Sequence, residues 1–365
     1  MKYYSLNNIL SKHCQYNIIL GERSNGKTFA VLEYGIRNFF KTGKQMAIIR
    51  RWLEDFRGKR ARTMFDGVVD KGIIYDASKG EYDDVKYFSG EWHFIRHNDK
   101  GDVIKEMNDP FAYAFSIAQQ EHDKSTSYPN INTIFFDEFT TRDSYLVDEF
   151  ILFMNTLSTI IRNRNDVIIF MCGNTVNRSS PYFTEMGLSH IRDMKQGDID
   201  VYSYGESELH VAVEFSDSIA KRKPSDIYFA FNNPKLQMIT GSGSVWEMAL
   251  YPHCPCKFIP DDIMFMYFII FENRIYQCEL VNVDDLLFTY IHRKTTPIKD
   301  DNTDLIYTPE YSPKQNYHRY LNDVTDKVTK YIYNQYVHDK VFYQDNEVGE
   351  DIRNYLQFCG MSTID

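Results

Sequence analysis

Eight residues near the start of the chain, Gly21-Glu22-Arg23-Ser24-Asn25-Gly26-Lys27-Thr28, satisfy the pattern G-x-x-x-x-G-K-[ST]. Phosphate binding needs these residue types in this order, because the glycines let the backbone curl until successive N–H groups and a helix N-terminus face the phosphate oxygens. Lys27 then reaches the β/γ oxygens and the Thr28 hydroxyl takes a Mg²⁺ ligand position, with ATP as the expected nucleotide. Read without chemistry, the same residues are a glycine turn and a basic helix start.

Asp137-Glu138 directly follow the apolar run Ile134-Phe135-Phe136. At the C-terminal end of a strand, one carboxylate can hold the Mg²⁺ hydration shell while the next orients the attacking water. A solvated acidic loop is the plainer alternative, but beside the glycine-rich loop the pair reads as a Walker B motif with a catalytic glutamate. A base at Glu138 implies hydrolysis and not binding alone. Asn174, just past an apolar run, is placed to sense the γ-phosphate, although Gly173-Asn174 is otherwise an ordinary turn. Arg162-Asn163-Arg164 follow a long apolar helix, where arginines either offset the helix dipole or project into a neighbour's site and neutralise transition-state charge. Such a finger cannot serve its own subunit, so the second reading requires a ring.

Strand-like runs alternating with helical patterns must hold these groups, and through about residue 200 they indicate an α/β fold with a mostly parallel sheet. Tyr16 to Leu20 reads as the strand before the loop. Phe29, Leu32, Ile36, Phe39 and Phe40 then share one helix face, and Gly43 stands where that helix should stop. Met46 to Ile49, Thr133 to Phe136 and Val167 to Met171 read as further buried strands, with a helix over roughly Tyr145 to Ile161. The expected domains are 1–200, a linking subdomain at 201–247, and an α+β domain at 248–365. In the last, Ile263 to Phe271, Arg274 to Val281 and Leu286 to His292 are predicted strands. Glu272-Asn273 makes the first hairpin, and helices are predicted over roughly 318–338 and 346–358.

The 365 residues, 43% hydrophobic and 25% charged, suit a folded chain of about two domains. A net charge of −10 argues against coating nucleic acid over the whole surface and leaves room for a local basic patch. The longest apolar run, Ile263 to Phe271, is far below the ~20 residues of a membrane span. No secretion signal or disulfide framework is evident, so a reducing cytoplasm is expected.

Beyond the phosphate motifs, Arg23 within the loop, Ile48-Ile49-Arg50-Arg51, Tyr128-Pro129-Asn130 leading into Thr133 to Phe139, Arg162-Asn163-Arg164, and Asn174 shortly before Pro181-Tyr182-Phe183 follow one another in a familiar order. In these respects the chain resembles the DNA packaging ATPases of phi29-like phages, a branch of the ring translocases with an additional strand and a catalytic glutamate. The likeness covers roughly residues 1–190 and is architectural beyond. It implies a RecA-like P-loop NTPase domain in which Gly21, Arg23, Ser24, Asn25, Gly26, Lys27, Thr28 and Asn174 surround the nucleotide, Thr28 and Asp137 serve the metal, and Glu138 is the base. By the same resemblance Arg162 is a trans-acting finger, and Lys124 either reaches across subunits or is a solvated loop lysine. Family members form a homopentameric ring at the portal vertex of an empty capsid, in the infected host's cytoplasm, and ATP hydrolysis drives double-stranded DNA through the ring. A structural RNA bridging motor and capsid is left open. The resemblance also implies an RNase H-like C-terminal domain. Ile263 to Phe271 lacks the acid that a two-metal nuclease places in its first strand, so loss of cutting is expected. An ATP-dependent assembly or scaffold factor and a helicase-like motor remain alternative readings.

Two basic clusters, Arg50 to Arg62 (with Arg57, Lys59, Arg60 and Arg62) and Lys221-Arg222-Lys223, are candidates for DNA or interface contact or are solvated loops. His253-Cys254-Pro255-Cys256 lacks the second ligand pair of a zinc site and is read as structural.

Overall fold

The computed structural model describes residues 4–22, 25–119, 127–141, 145–175, 177, 179–205, 207–217, 250–284 and 286–361. The expected site residues Arg23, Ser24, Lys124, Lys221, Arg222 and Lys223 lie outside them. The chain divides into two units.

The first unit is built on one sheet. Its strands are β1 (Tyr16–Gly21), β2 (Gln45–Arg50), β3 (Asp84–Phe88), β4 (Glu91–His97), β5 (Val103–Glu106), β6 (Ala112–Ser116), β7 (Ile131–Asp137), β8 (Ile168–Asn174), β9 (Ile199–Ser203) and β10 (His210–Phe215). They stand in the order β3-β4-β6-β2-β7-β8-β1-β10-β9, with β5 paired to β4. From β6 to β10 in that order the strands run parallel. β3, β4 and β5 at one side, and β9 at the other, are antiparallel.

Central parallel strands carry apolar residues on both faces because both faces are covered. Ile19, Ile48, Phe135 and Phe170 point to one core, joined by Val31 and Ile36 of helix α1 (Lys27–Thr42). Ile18, Ile49, Phe136 and Met171 point to the other, joined by Phe153, Leu157 and Ile160 of α2 (Glu149–Ile161). The result is a three-layered α/β unit. α1 stops where expected: Gly43 is left-handed, and its N–H donates to the Phe39 carbonyl at 2.7 Å.

The expected boundary at 200 fails for the next residues. His210 to Phe215, assigned to a linker, is a strand of the main sheet that covers the free side of β1, with Val211, Ala212, Val213 and Phe215 fully buried. A six-residue run bounded by polar turns is a weak signal by itself, and what makes it a strand is the hydrogen-bonding edge that β1 offers. The hairpins formed by β3, β4 and β5, and strand β6, likewise escaped the sequence reading.

In the second unit, β11 (Ile263–Phe271), β12 (Arg274–Val283) and β13 (Leu286–Lys294) form an antiparallel meander. Glu272 and Asn273 have φ of 48° and 62°, the double left-handed geometry of a two-residue turn that matches strand twist. β14 (Ile306–Tyr307), β15 (Tyr317–His318) and β16 (Val341–Tyr343) complete the order β15-β14-β11-β12-β13-β16, with β14 parallel to β11, β15 parallel to β14, and β16 parallel to β13. Helices α3 (Lys327–Val337) and α4 (Asn346–Phe358) cover a core of Tyr267, Ile269, Tyr276 and Ile291. α3 starts later than the predicted 318 because the Asp326 carboxylate accepts the Thr329 N–H at 2.9 Å and caps it there. The Cys254 thiol donates to the Cys256 carbonyl at 3.0 Å. Among the described residues no helix is long and apolar enough to cross a membrane.

Candidate functional site

Four strand ends, those of β1, β8, β7 and β2, meet along the C-terminal edge of the first sheet, where open α/β sheets bind ligands. β1 delivers the glycine-rich loop. A Cβ on Gly21 would meet Ser216 Oγ at 2.0 Å, so only glycine fits against the end of β10. Gly26 has φ of 97° and turns the chain into α1, which leaves the first helical N–H groups facing the cavity. Asn25, just before that turn, donates from Nδ2 to Ser216 Oγ at 2.6 Å while its Oδ1 accepts the Lys27 N–H at 3.3 Å.

Lys27 is 5% exposed, and its Nζ donates to the carbonyls of Gly21 (3.1 Å) and Glu22 (2.8 Å) and to Asn174 Oδ1 (3.3 Å). Burial lowers its pKa from the usual 10.5 to about 8, against the opposing pull of Cys172, Asp137 and Glu22. Asn174 ends β8 in register with Gly21. Thr28 Oγ1 donates to Asp137 Oδ1 at 3.0 Å, across the width of β8, and Asp137 itself is buried. Lys27, Thr28, Asp137 and Asn174 are thus brought together as the spacing implied.

Glu138 follows Asp137 with φ of 58° and an exposed carboxylate. Arg50 at the end of β2 donates from Nη1 to Glu138 Oε2 at 3.1 Å and from Nη2 to Asp137 Oδ2. Burial opposes the Arg50 charge, but the two carboxylates outweigh it and hold the guanidinium above its ordinary pKa. Together these groups line a cavity of about 680 Å³ that also takes in Phe29, Trp52 and Thr140. Clustered N–H groups, a buried ammonium, and a hydroxyl on a carboxylate form a donor set for polyphosphate and for an oxygen-liganded cation such as Mg²⁺.

Arg162 is not in this cavity. α2 leaves the C-terminal edge after β7 and returns to the start of β8, so Arg162 lies at the opposite edge. Its neighbour Arg164 donates there to the Tyr128 and Ile160 carbonyls at 3.3 and 3.0 Å. In the basic segment after β2, Arg57 and Arg60 are exposed and reach Glu54 and Asp55 at 3.5 and 3.3 Å, and Lys59 and Arg62 are exposed as well. Arg50 and Arg51, read from the sequence as members of that segment, belong to the cavity wall.

Sequence reasoning missed Ser216 and Glu149 and gave Tyr182 no role. Arg51 donates from Nε and Nη2 to the two Glu149 oxygens, each at 2.8 Å, and the Tyr182 hydroxyl donates to Glu149 Oε1 at 2.8 Å. One signal was available for Glu149, the second acid of the pair Asp148-Glu149 that heads the apolar stretch Phe150-Ile151-Leu152-Phe153. None was available for Ser216.

A glycine-rich loop between β1 and α1, and an acidic strand end on β7 with β8 between them, make the first unit a mostly parallel α/β unit with a candidate nucleotide site at the C-terminal edge of its sheet. Residues 1–227 match the family model described as Podovirus DNA encapsidation protein (Gp16), and the chain belongs to that family. The DNA packaging proteins of Bacillus phages phi29 and PZA are each 27% identical over 225 residues, which is 60% of this chain and 60% of theirs. The chain therefore matches less than two thirds of the length of these relatives. Over the whole chain the fold is similar to that of the Phi-28 gp11 DNA packaging motor, with TM-score 0.54, 15% identity, and coverage of 97% and 98% of the two chains. It is similar also to a chain of the bacteriophage Phi-29 viral genome packaging motor assembly, with TM-score 0.53, 16% identity, and 98% of each chain covered.

Proposed function

We propose that this chain is the ATPase subunit of a viral genome-packaging motor, coupling ATP hydrolysis to movement of double-stranded DNA into a preformed capsid. The observation that carries the reading is the convergence of Lys27, Thr28, Asp137 and Asn174 on one cavity at the ends of parallel strands. It is supported by membership of an encapsidation protein family.

In this reading Lys27 exchanges its carbonyl partners for the β/γ-phosphate oxygens, and the backbone N–H groups after Gly26 take the remaining charge. Thr28 and Asp137 would hold Mg²⁺, which when bound supplies charge neutralisation at the phosphates. Asn174 orients the γ-phosphate. Glu138 accepts a proton from the attacking water, and for that it must turn from its Arg50 partner toward the cavity.

The position of Arg162 at the far edge of the sheet supports a role in a neighbouring subunit's site, as a finger stabilising transition-state charge in a homopentameric ring. Lys124 is proposed as a second inter-subunit contact. The ring docks on the capsid portal in the cytoplasm of the infected bacterium. The exposed residues Arg57, Lys59, Arg60 and Arg62 are proposed to meet the DNA backbone or a neighbouring subunit.

For the second unit we propose an RNase H-like domain without nuclease activity. The order β13-β12-β11-β14-β15, three antiparallel strands followed by two parallel ones, supports that fold. The deciding experiment measures ATPase rate against protein concentration, with and without double-stranded DNA, for the parent and Arg162→Ala. The expected rate per subunit rises with concentration and with DNA and collapses in the variant. A flat, DNA-insensitive rate that the substitution leaves untouched would remove the motor reading and leave an assembly factor.

A further inference from the structure

Glu138 occupies the left-handed region, where a residue with a side chain persists only if its surroundings over-determine it. Its own carboxylate is exposed and held through Arg50 at 3.1 Å, and the backbone is restrained by the chain on either side. Before it, Asp137 is locked into β7. After it, the Phe139 N–H donates to the Cys172 carbonyl at 3.2 Å, the Phe139 ring is fully buried, and the Phe139 carbonyl accepts from Arg51 Nη2 at 2.8 Å.

Arg51 is itself held from several directions. Glu149, which is 1% exposed, takes its Nε and Nη2, and the Tyr145 ring lies under the guanidinium at 5.1 Å. Each Glu149 oxygen has a further donor, the Tyr182 hydroxyl on Oε1 and the Leu146 N–H on Oε2, both at 2.8 Å. A buried ion pair of this kind is a poor source of stability, since apolar residues of similar volume usually serve as well. What a bidentate arginine supplies is direction.

We propose that Arg51 and Glu149 are positioning residues for Glu138: by clamping the Phe139 carbonyl they set the backbone on which the glutamate is aimed at the cavity. This rests on the reading of Glu138 as the base, and the test separates the two.

The double variant Arg51→Met/Glu149→Leu removes both charges and fills the volume, whereas either single change leaves one buried charge unpaired. In the full-length chain, each single variant should lower the unfolding midpoint, and the double, in which the Phe139 carbonyl, the Leu146 N–H and the Tyr182 hydroxyl still lose their partners, should recover part of it. Its kcat should nevertheless stay at least about tenfold below the parent, with the Kd for a fluorescent ATP analogue within about twofold. In the double background Glu138→Gln should cost no more than about tenfold, against about a hundredfold or more in the parent, because a misaimed base has less left to lose. Parental kcat in the stable double variant, or a full Glu138→Gln cost within it, would overturn the proposal. A Glu138→Gln change that is neutral in the parent would instead overturn the base assignment. Should the double variant not fold, Arg51→Lys retains the charge and loses the fork: a tenfold kcat loss at unchanged Kd supports the clamp, and parental kcat removes it.

Discussion

Both units carry charged residues among apolar ones, and they use them differently. In the second unit Arg274 spans Glu347 (2.9 Å) and Asp351 (3.3 Å), and the Tyr276 hydroxyl also donates to buried Asp351. Those charges are spent on one another. Along the edge of the first sheet, Arg50, Asp137 and Glu138 are also paired and Lys27 is hydrogen-bonded, but around a cavity of about 680 Å³ and with an exposed carboxylate among them. A closed network stabilises a core, whereas one that borders a cavity has partners to exchange. Charge alone does not mark a site; the space beside it does.

Breaking the open network should cost chemistry. Lys27→Ala is expected to reduce ATP hydrolysis by about a thousandfold, and Glu138→Gln by about a hundredfold or more with nucleotide binding retained, both read in steady-state ATPase assays and by equilibrium binding. Breaking the closed network should cost structure. Asp351→Asn is expected to remove about 2–3 kcal/mol from the second unit in chemical denaturation while leaving nucleotide Kd unchanged.

A pH titration sharpens the contrast. Because burial brings the Lys27 pKa to about 8, the lysine loses its charge as pH rises through that value. ATP affinity should be flat below about pH 8 and weaken by up to about tenfold per pH unit above it. The contribution to stability has the opposite sign: the unfolded lysine holds its proton up to its ordinary 10.5, so the penalty for burying the charge is relieved between about 8 and 10.5. Lys27→Arg should flatten both profiles. Smallest of all, Arg57→Glu and Arg60→Glu should change stability by less than about 0.5 kcal/mol, since both arginines are themselves exposed. If they meet DNA, each should reduce the salt slope of binding by about one. An unchanged slope would assign the segment to another surface.

Much of the proposed phosphate site was legible before any fold was known. The loop needs glycine where φ is positive and where Ser216 approaches, lysine for phosphate charge, and a strand and helix on either side, all within about fifteen residues. The stop at Gly43 and the turn at Glu272-Asn273 were readable for the same reason, since conformational preference and periodicity act over a few neighbouring residues.

The tertiary structure decided what lies next to what. It placed β8 between β1 and β7, so that Thr28 meets Asp137 from 109 positions away. It set Ser216 against Asn25 across 191 positions, turned a presumed linker into β10, and sent Arg162 to the opposite edge from Lys27. It also divided adjacent Arg50 and Arg51 between two tasks, because successive side chains at a strand's end point to opposite faces of the sheet. Local sequence can specify a residue's conformation and its chemistry, but the partner that completes it is supplied by strand order, which is settled only when the whole core is buried.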